Sequence, residues 1–119
     1  HELHHCMRRR TVGYGKALGE ALVSEGLACH FEFELSGKVP YYASALKESD
    51  IPELWARAEK EFDDADYDYQ AWFLARGGNI PFYAGYTLGY QLVAEYISQH
   101  SRPASSLYAE PAERFRRKD

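Results

Sequence analysis

The sequence predicts a mainly α-helical protein, and three observations carry that prediction. Apolar residues recur at helical spacing over 16–31 and again over 80–98. Breaks rich in glycine or proline at 11–15, 36–40 and 76–79 separate the patterned stretches. The alternation that marks a half-buried strand occurs only at Phe31-Glu32-Phe33-Glu34, which fits the end of a helix equally well.

Taken in order, residues 1–10 contain neither Gly nor Pro and read as a first helix. Gly13 and Gly15 turn the chain into a second helix over 16–31, where Leu18, Ala21, Leu22, Glu25, Ala28 and Cys29 share a face. That face is apolar except for Glu25, and a carboxylate there has to be solvated, paired or bound to a cation. Residues 34–50 read as loop, punctuated by Ser36-Gly37 and Pro40. Ser49 or Asp50 is placed to cap a helix over 52–62, with Pro52 in its first turn. An acidic loop over 63–68 leads to a short helix over 69–74. After the break at 76–79, the helix over 80–98 carries a core stripe of Leu88, Leu92, Val93, Tyr96 and Ile97. Pro103 and Pro111 each suit the start of a short final helix. With no repeats and no second patterned region, 1–119 reads as one domain.

Composition narrows the function classes. A hydrophobic content of 45% with 15% aromatics excludes a disordered chain, and 119 residues can bury a modest core. The net charge of −4 argues against nucleic acid, because the basic runs Arg8-Arg9-Arg10 and 114–118 are short, distant from each other and read as solvated helix ends. No apolar stretch is long enough to span a bilayer, and no signal peptide is visible. Two cysteines, Cys6 and Cys29, do not make a disulfide framework and read as small buried packing residues. They favour a reducing compartment and so the cytoplasm. The chain opens on His1 without the leading turn that a helix presenting this residue needs, so the sequence is expected to be a segment of a longer protein, with localisation signals upstream.

The chemistry gathers at the start. His1-Glu2-Leu3-His4-His5 matches H-E-x-x-H. Residues four apart on a helix lie about 40° apart around its axis, so His1 and His5 reach one point while His4 faces elsewhere. Glu2 is offset by one residue, where its carboxylate meets a water on an ion instead of the ion itself. Glu25 follows His5 by 20 positions on the next helix, after a glycine turn. Two antiparallel helices joined in this way can set it opposite the histidine pair. Two His and one Glu leave a fourth position open, as at a catalytic Zn2+ and unlike a closed structural one.

H-E-x-x-H followed by Ser24-Glu25-Gly26-Leu27-Ala28 resembles the gluzincin metallopeptidases, and the setting of Glu25 is similar to that of their aminopeptidase branch. His1-Glu2-Leu3-His4-His5, Glu25-Gly26-Leu27-Ala28 and Gly85-Tyr86-Thr87-Leu88-Gly89-Tyr90 together resemble the YjaZ-like predicted zinc-dependent proteases, domain-of-unknown-function family 2268. The resemblance runs from His1 to about Glu113. It implies a bacterial peptidase of zincin-like fold, of which this chain is the helical C-terminal part without the upstream helix and sheet. Its substrates are implied to be peptides or proteins, with Zn2+ on His1, His5 and Glu25 and Glu2 as general base. One departure stands out: where a carboxylate one turn after the third ligand often orients the first His, this chain has Cys29, so another group has to fix that ring. The chain also offers no strand edge for an extended substrate, so the segment is expected to bind metal without positioning a peptide.

A donor for the oxyanion is expected near the same site, and Tyr86 is the leading candidate, with Tyr90, Tyr83 and Arg76 behind it. Gly85 and Gly89 would let that helix approach another closely. His4 reads as a surface residue or as support for the ligands, His30 as core or surface, and His100 as solvated in a polar loop. Trp55, Trp72 and the Phe residues read as core, and Asp63-Asp64-Ala65-Asp66 as a solvated turn instead of a calcium site. The alternative function is a non-catalytic helical domain that binds zinc or a protein partner, and a third is an interaction module without metal. Oligomeric state and cleavage preference have no signature in the sequence.

Overall fold

A computed structural model describes residues 1–74, 80–81 and 83–117, and these are mainly helical, with no strand among them. The helices are α1 (Glu2–Arg9), α2 (Leu18–Ser36), α3 (Ile51–Glu61), α4 (Tyr69–Leu74) and α5 (Ala84–His100). Short 3-10 turns lie at Tyr41–Ser44, Glu48–Asp50, Ala104–Ser106 and Ala112–Phe115. The break at 76–79, with Arg76, lies outside the described residues.

α2 is the axis of the molecule. It packs mainly on α5, and α1, α3 and the two C-terminal 3-10 turns surround it. Every residue from 21 to 29 is buried, on all sides of the helix and not on the single face that periodicity suggests. The two helices cross where Gly26 meets Gly89. A Cβ on Gly89 would lie 2.2 Å from the Leu22 carbonyl oxygen, and one on Gly26 would lie 2.2 Å from the Gly89 oxygen. Backbone rests on backbone there, so neither position has room for a side chain. Gly85, expected to serve the same approach, instead faces the Phe73 ring.

Local chemistry sets the helix ends. The first N–H groups of α2, at Leu18 and Gly19, donate to the carbonyls of Asp64 and Phe62 at 3.1 and 2.8 Å, while the Glu20 carboxylate accepts from the N–H groups of Lys16 and Ala17. α2 runs five residues past the expected end at Phe31, until Gly37 at φ 74° returns its N–H to the Phe33 carbonyl. α5 starts at Ala84 and not at Ile80, because Tyr83 sits in the left-handed region at φ 59° and breaks the helical run. Its far end extends to His100, which is exposed on the helix terminus and not in a loop. α3 begins at Ile51 without a side-chain cap from Ser49 or Asp50, since a 3-10 turn feeds straight into it. Asp68 does cap α4, accepting from the Ala71 N–H at 3.1 Å.

Three further expectations are corrected by packing. Arg8 is not a solvated helix end; it is 2% exposed. Its Nε–H donates to Ser24 Oγ at 3.0 Å, and Nη1 donates to the carbonyls of Tyr108 and Glu110 at 3.2 and 2.7 Å. Successive helical residues point about 100° apart, so a run of three arginines cannot share one exposure, and Arg8 falls on the inner face with His4 and His5. Burial lowers its pKa, against the charges of Glu20 and Glu110, to about 10, and it stays charged at neutral pH. His4 is fully buried, with Nε2–H donating to the Ala104 carbonyl at 2.9 Å, and so is no surface residue. Cys6 is exposed, and only Cys29 packs inside; both are free thiols. The core otherwise holds Trp55, Trp72, Phe31, Phe62, Phe73 and Phe115, while Phe33 is 41% exposed near the end of α2.

The helix crossing yields a test. Gly89→Ala is expected to cost about 1–3 kcal/mol of unfolding free energy by forcing the α2 and α5 backbones apart. Urea denaturation measures it, and an unchanged midpoint would refute so close an approach.

Candidate metal centre

His1, the N-cap of α1, and His5 stand one turn apart, their ring centroids 4.8 Å from each other at an interplanar angle of 81°. Opposite them α2 presents Glu25, 4% exposed. Its Oε1 lies 2.9 Å from His1 Nε2 and 3.1 Å from His5 Nε2, and the candidate ligand atoms of all three residues lie within 4.8 Å of one another. Thus the three residues proposed from spacing converge on a single point.

Tyr14 completes the hold on Glu25, and sequence reasoning passed over it. Its hydroxyl donates to Oε2 at 2.8 Å, while its carbonyl accepts from Ser24 Oγ at 2.9 Å. Gly13 and Gly15 flank it at φ 83° and 99°, so the turn folds back and aims the phenol inward. An aromatic residue between two turn glycines was the available signal. Glu32 was also missed. Its Oε1 lies 2.5 Å from His1 Nδ1 and accepts from the Tyr42 hydroxyl at 2.6 Å.

The electrostatics follow from these contacts. Burial pushes the Glu25 carboxyl up, but hydrogen bonds from His1 and His5, the charge of His5 and the Tyr14 hydroxyl outweigh it and hold the group at about 2. Burial pushes the His1 imidazole down, and Glu25 and Glu32 together hold it above 6.5. Tyr14 is raised by burial and then by the Glu25 charge, so it keeps its proton. A ring between two carboxylates has to carry protons on both nitrogens or hold a cation on one of them. The donor set fits zinc: two ring nitrogens and one buried carboxylate oxygen face a common point. His5 Nδ1 is buried with no hydrogen-bond partner among the described residues.

The point opens onto a cleft of about 370 Å³ lined by His1, Glu2, His5, Arg9, Tyr14, Glu25, Tyr69 and Tyr86. Glu2 is exposed on its wall. Tyr86 is half-buried there, its phenol raised by burial and by the Glu25 charge, and its hydroxyl has no hydrogen bond among the described residues. Tyr90 is directed elsewhere, stacked on His30 at 3.8 Å, and Tyr83 packs on Tyr41 and Tyr86 without lining the cleft. His30 donates to or accepts from no other ligand candidate; its Nε2 bonds the Tyr90 carbonyl at 2.9 Å. A larger depression of about 450 Å³, between the end of α5 and residues 114–117, contains none of the predicted site residues.

An exposed cleft that meets two imidazoles and a carboxylate is the class of site at which proteins hold a hydrolytic zinc. Over residues 1–117 the chain belongs to the family described as predicted Zn-dependent protease (DUF2268). No curated protein and no solved structure matches it. No helix among the described residues is long and apolar enough to cross a membrane.

The pKa shifts frame a pH window for the metal-free protein. Glu25 lies below its ordinary 4.5, so its contribution is complete above that value and is lost as pH falls toward 2. His1 lies above its ordinary 6.5, so its contribution is complete below that value and is lost as pH rises through the folded pKa. Stability with chelator present is therefore expected to be greatest between about pH 4.5 and 6.5. Zinc needs unprotonated imidazoles, so it should raise the melting temperature more at pH 8 than at pH 5. Thermal melts with and without zinc at both values check this, and an equal gain at both counts against the assignment.

Proposed function

We propose that this chain is the catalytic segment of a zinc-dependent peptidase of gluzincin type, acting on peptides or proteins as one unit over 1–119. In this reading His1 and His5 hold zinc through Nε2 and Glu25 through its carboxylate. The observation that carries it is the meeting of two Nε2 atoms on one buried carboxylate oxygen at 2.9 and 3.1 Å, beside a cleft that also contains Glu2. A buried carboxylate in an apolar helix needs such a reason to be there. Family membership supports the same class of reaction.

Zinc held there would supply Lewis-acid polarisation and an acidified water. The chain's own groups do the rest. Glu2, exposed on the cleft wall, accepts the proton of the attacking water and returns it to the leaving amine. Tyr86, kept protonated by burial and by Glu25, donates to the developing oxyanion. Tyr14 holds the Glu25 carboxylate in register and is already committed to it, which leaves Tyr86 as the half-buried phenol in the cleft whose hydroxyl has no hydrogen bond among the described residues.

Glu2→Gln is expected to retain zinc and lose peptide hydrolysis; measurable turnover in that variant would remove Glu2 from the mechanism. Tyr86→Phe is expected to lower kcat by about 100-fold or more with little change in KM. Steady-state kinetics on an unstructured protein substrate measure both, with zinc content followed by atomic absorption; a wild-type segment that binds zinc and cleaves nothing keeps the metal assignment and assigns substrate positioning to residues outside it. Zinc at far below one per chain in the wild type would reject the whole reading.

A further inference from the structure

The position one turn after Glu25 is Cys29, a fully buried thiol whose pKa is pushed up by burial and then by the charges of Glu25 and Glu32. It makes no hydrogen bond to His1. The carboxylate that reaches His1 stands one turn further along α2, at Glu32. Seven residues rotate a helix through nearly two full turns, so Glu25 and Glu32 lie within about 20° of each other and about 10 Å apart along the axis. The His1 ring fills that gap, with Nε2 toward Glu25 and Nδ1 toward Glu32.

Glu32 is itself held. The Tyr42 hydroxyl donates to its Oε1 at 2.6 Å, and the Tyr42 ring leans on Tyr86 at 4.8 Å. The Tyr42 carbonyl accepts from Thr87 Oγ1 at 3.1 Å, which ties the 3-10 turn Tyr41–Ser44 to α5. A chain of contacts therefore runs from α5 through Tyr42 and Glu32 to the first imidazole. The second imidazole has no counterpart, since His5 Nδ1 has no partner among the described residues.

We propose that Glu32, anchored by Tyr42, is the positioning residue of His1. It keeps the proton on Nδ1 and leaves the Nε2 lone pair aimed at the point shared with His5 and Glu25, so the work of an orienting carboxylate is done from the second turn beyond Glu25 and not from the first. The proposal rests on His1 being a zinc ligand, and it gives the two histidines unequal dependence on their surroundings.

Zinc affinity is measured by chelator competition for wild type, Glu32→Ala, Glu32→Gln, Glu32→Asp and Tyr42→Phe, with circular dichroism as the check on folding. Removing a group that orients a metal-bound imidazole typically weakens the metal about 10–100-fold. That loss is expected for Glu32→Ala, with smaller losses for Glu32→Gln and Tyr42→Phe and the best retention in Glu32→Asp. The Nδ1–H resonance of His1 in the zinc-loaded protein should be slow to exchange in the wild type and lost or shifted in Glu32→Ala, while that of His5 stays put. If Glu32→Ala does not fold, Glu32→Gln carries the same comparison, and Tyr42→Phe removes both the anchor of Glu32 and a hydroxyl 3.4 Å from His1 Nδ1. Zinc affinity within twofold of wild type in the folded variants, together with an unmoved His1 resonance, overturns the proposal. A wild type that binds no zinc instead defeats the metal reading, and the His1 Nδ1–H signal of the metal-free protein then tests the Glu32 contact alone.

Discussion

The burial of a single carboxylate organises this molecule. α2 runs through the centre with apolar or small residues on every side, and Glu25 is the charged group within its wholly buried stretch. An ionised carboxylate in such surroundings is costly unless hydrogen bonds and opposite charge surround it. Three groups answer that cost: His1, His5 and Tyr14. They come from the helix before α2 and from the turn that joins the two, so the hairpin of α1 and α2 closes around Glu25. Arg8 then fixes the outer end of α1 to Ser24, the residue next to Glu25 in sequence.

The second constraint is the contact of α2 with α5. Because Gly26 and Gly89 leave no side chain between the backbones, α5 comes near enough for Tyr86 to share a cleft with residues of α1 and α2. Gly26 adjoins Glu25, so the tightest point of the fold and the buried carboxylate are neighbours. Besides residues of α1, α2 and α5, the cleft is lined by aromatic residues of α4 and of the turn after α1, Tyr69 and Tyr14.

Much of this was legible in the sequence, for identifiable reasons. His1, His5 and Glu25 could be named because helical spacing alone puts the histidines together, and because a lone acid on an apolar face is an anomaly that demands a partner. Helix locations followed from periodicity. The ends did not: α2 continued past Phe31 because Gly37, not the loss of apolar pattern, stops it, and α5 began late because Tyr83 adopts a left-handed backbone that no propensity announces. Tyr14 and Tyr42 escaped because turn conformation and tertiary placement bring them in, and Glu32, two turns beyond Glu25 on the same face, escaped because the helix was expected to end at Phe31. Arg8 escaped because its guanidinium finds carbonyls about a hundred residues away, a pairing that local sequence cannot reveal.

That long-range pairing also bears on how α1 is held in place. α1, which carries Glu2 and His5 and has His1 as its N-cap, is tied down by the segment from Ala104 to Glu110, through His4 and the Ala104 carbonyl and through Arg8 and the carbonyls of Tyr108 and Glu110. Glu34 of α2 fastens the same segment by accepting from the Ala104 and Ser105 N–H groups. Loss of residues 104–110 would therefore leave α1 held mainly by its contacts with α2, through His1 and His5 on Glu25 and Arg8 on Ser24. The placement of the two imidazoles thus leans on a segment about a hundred residues away that hydrogen-bonds to neither of them.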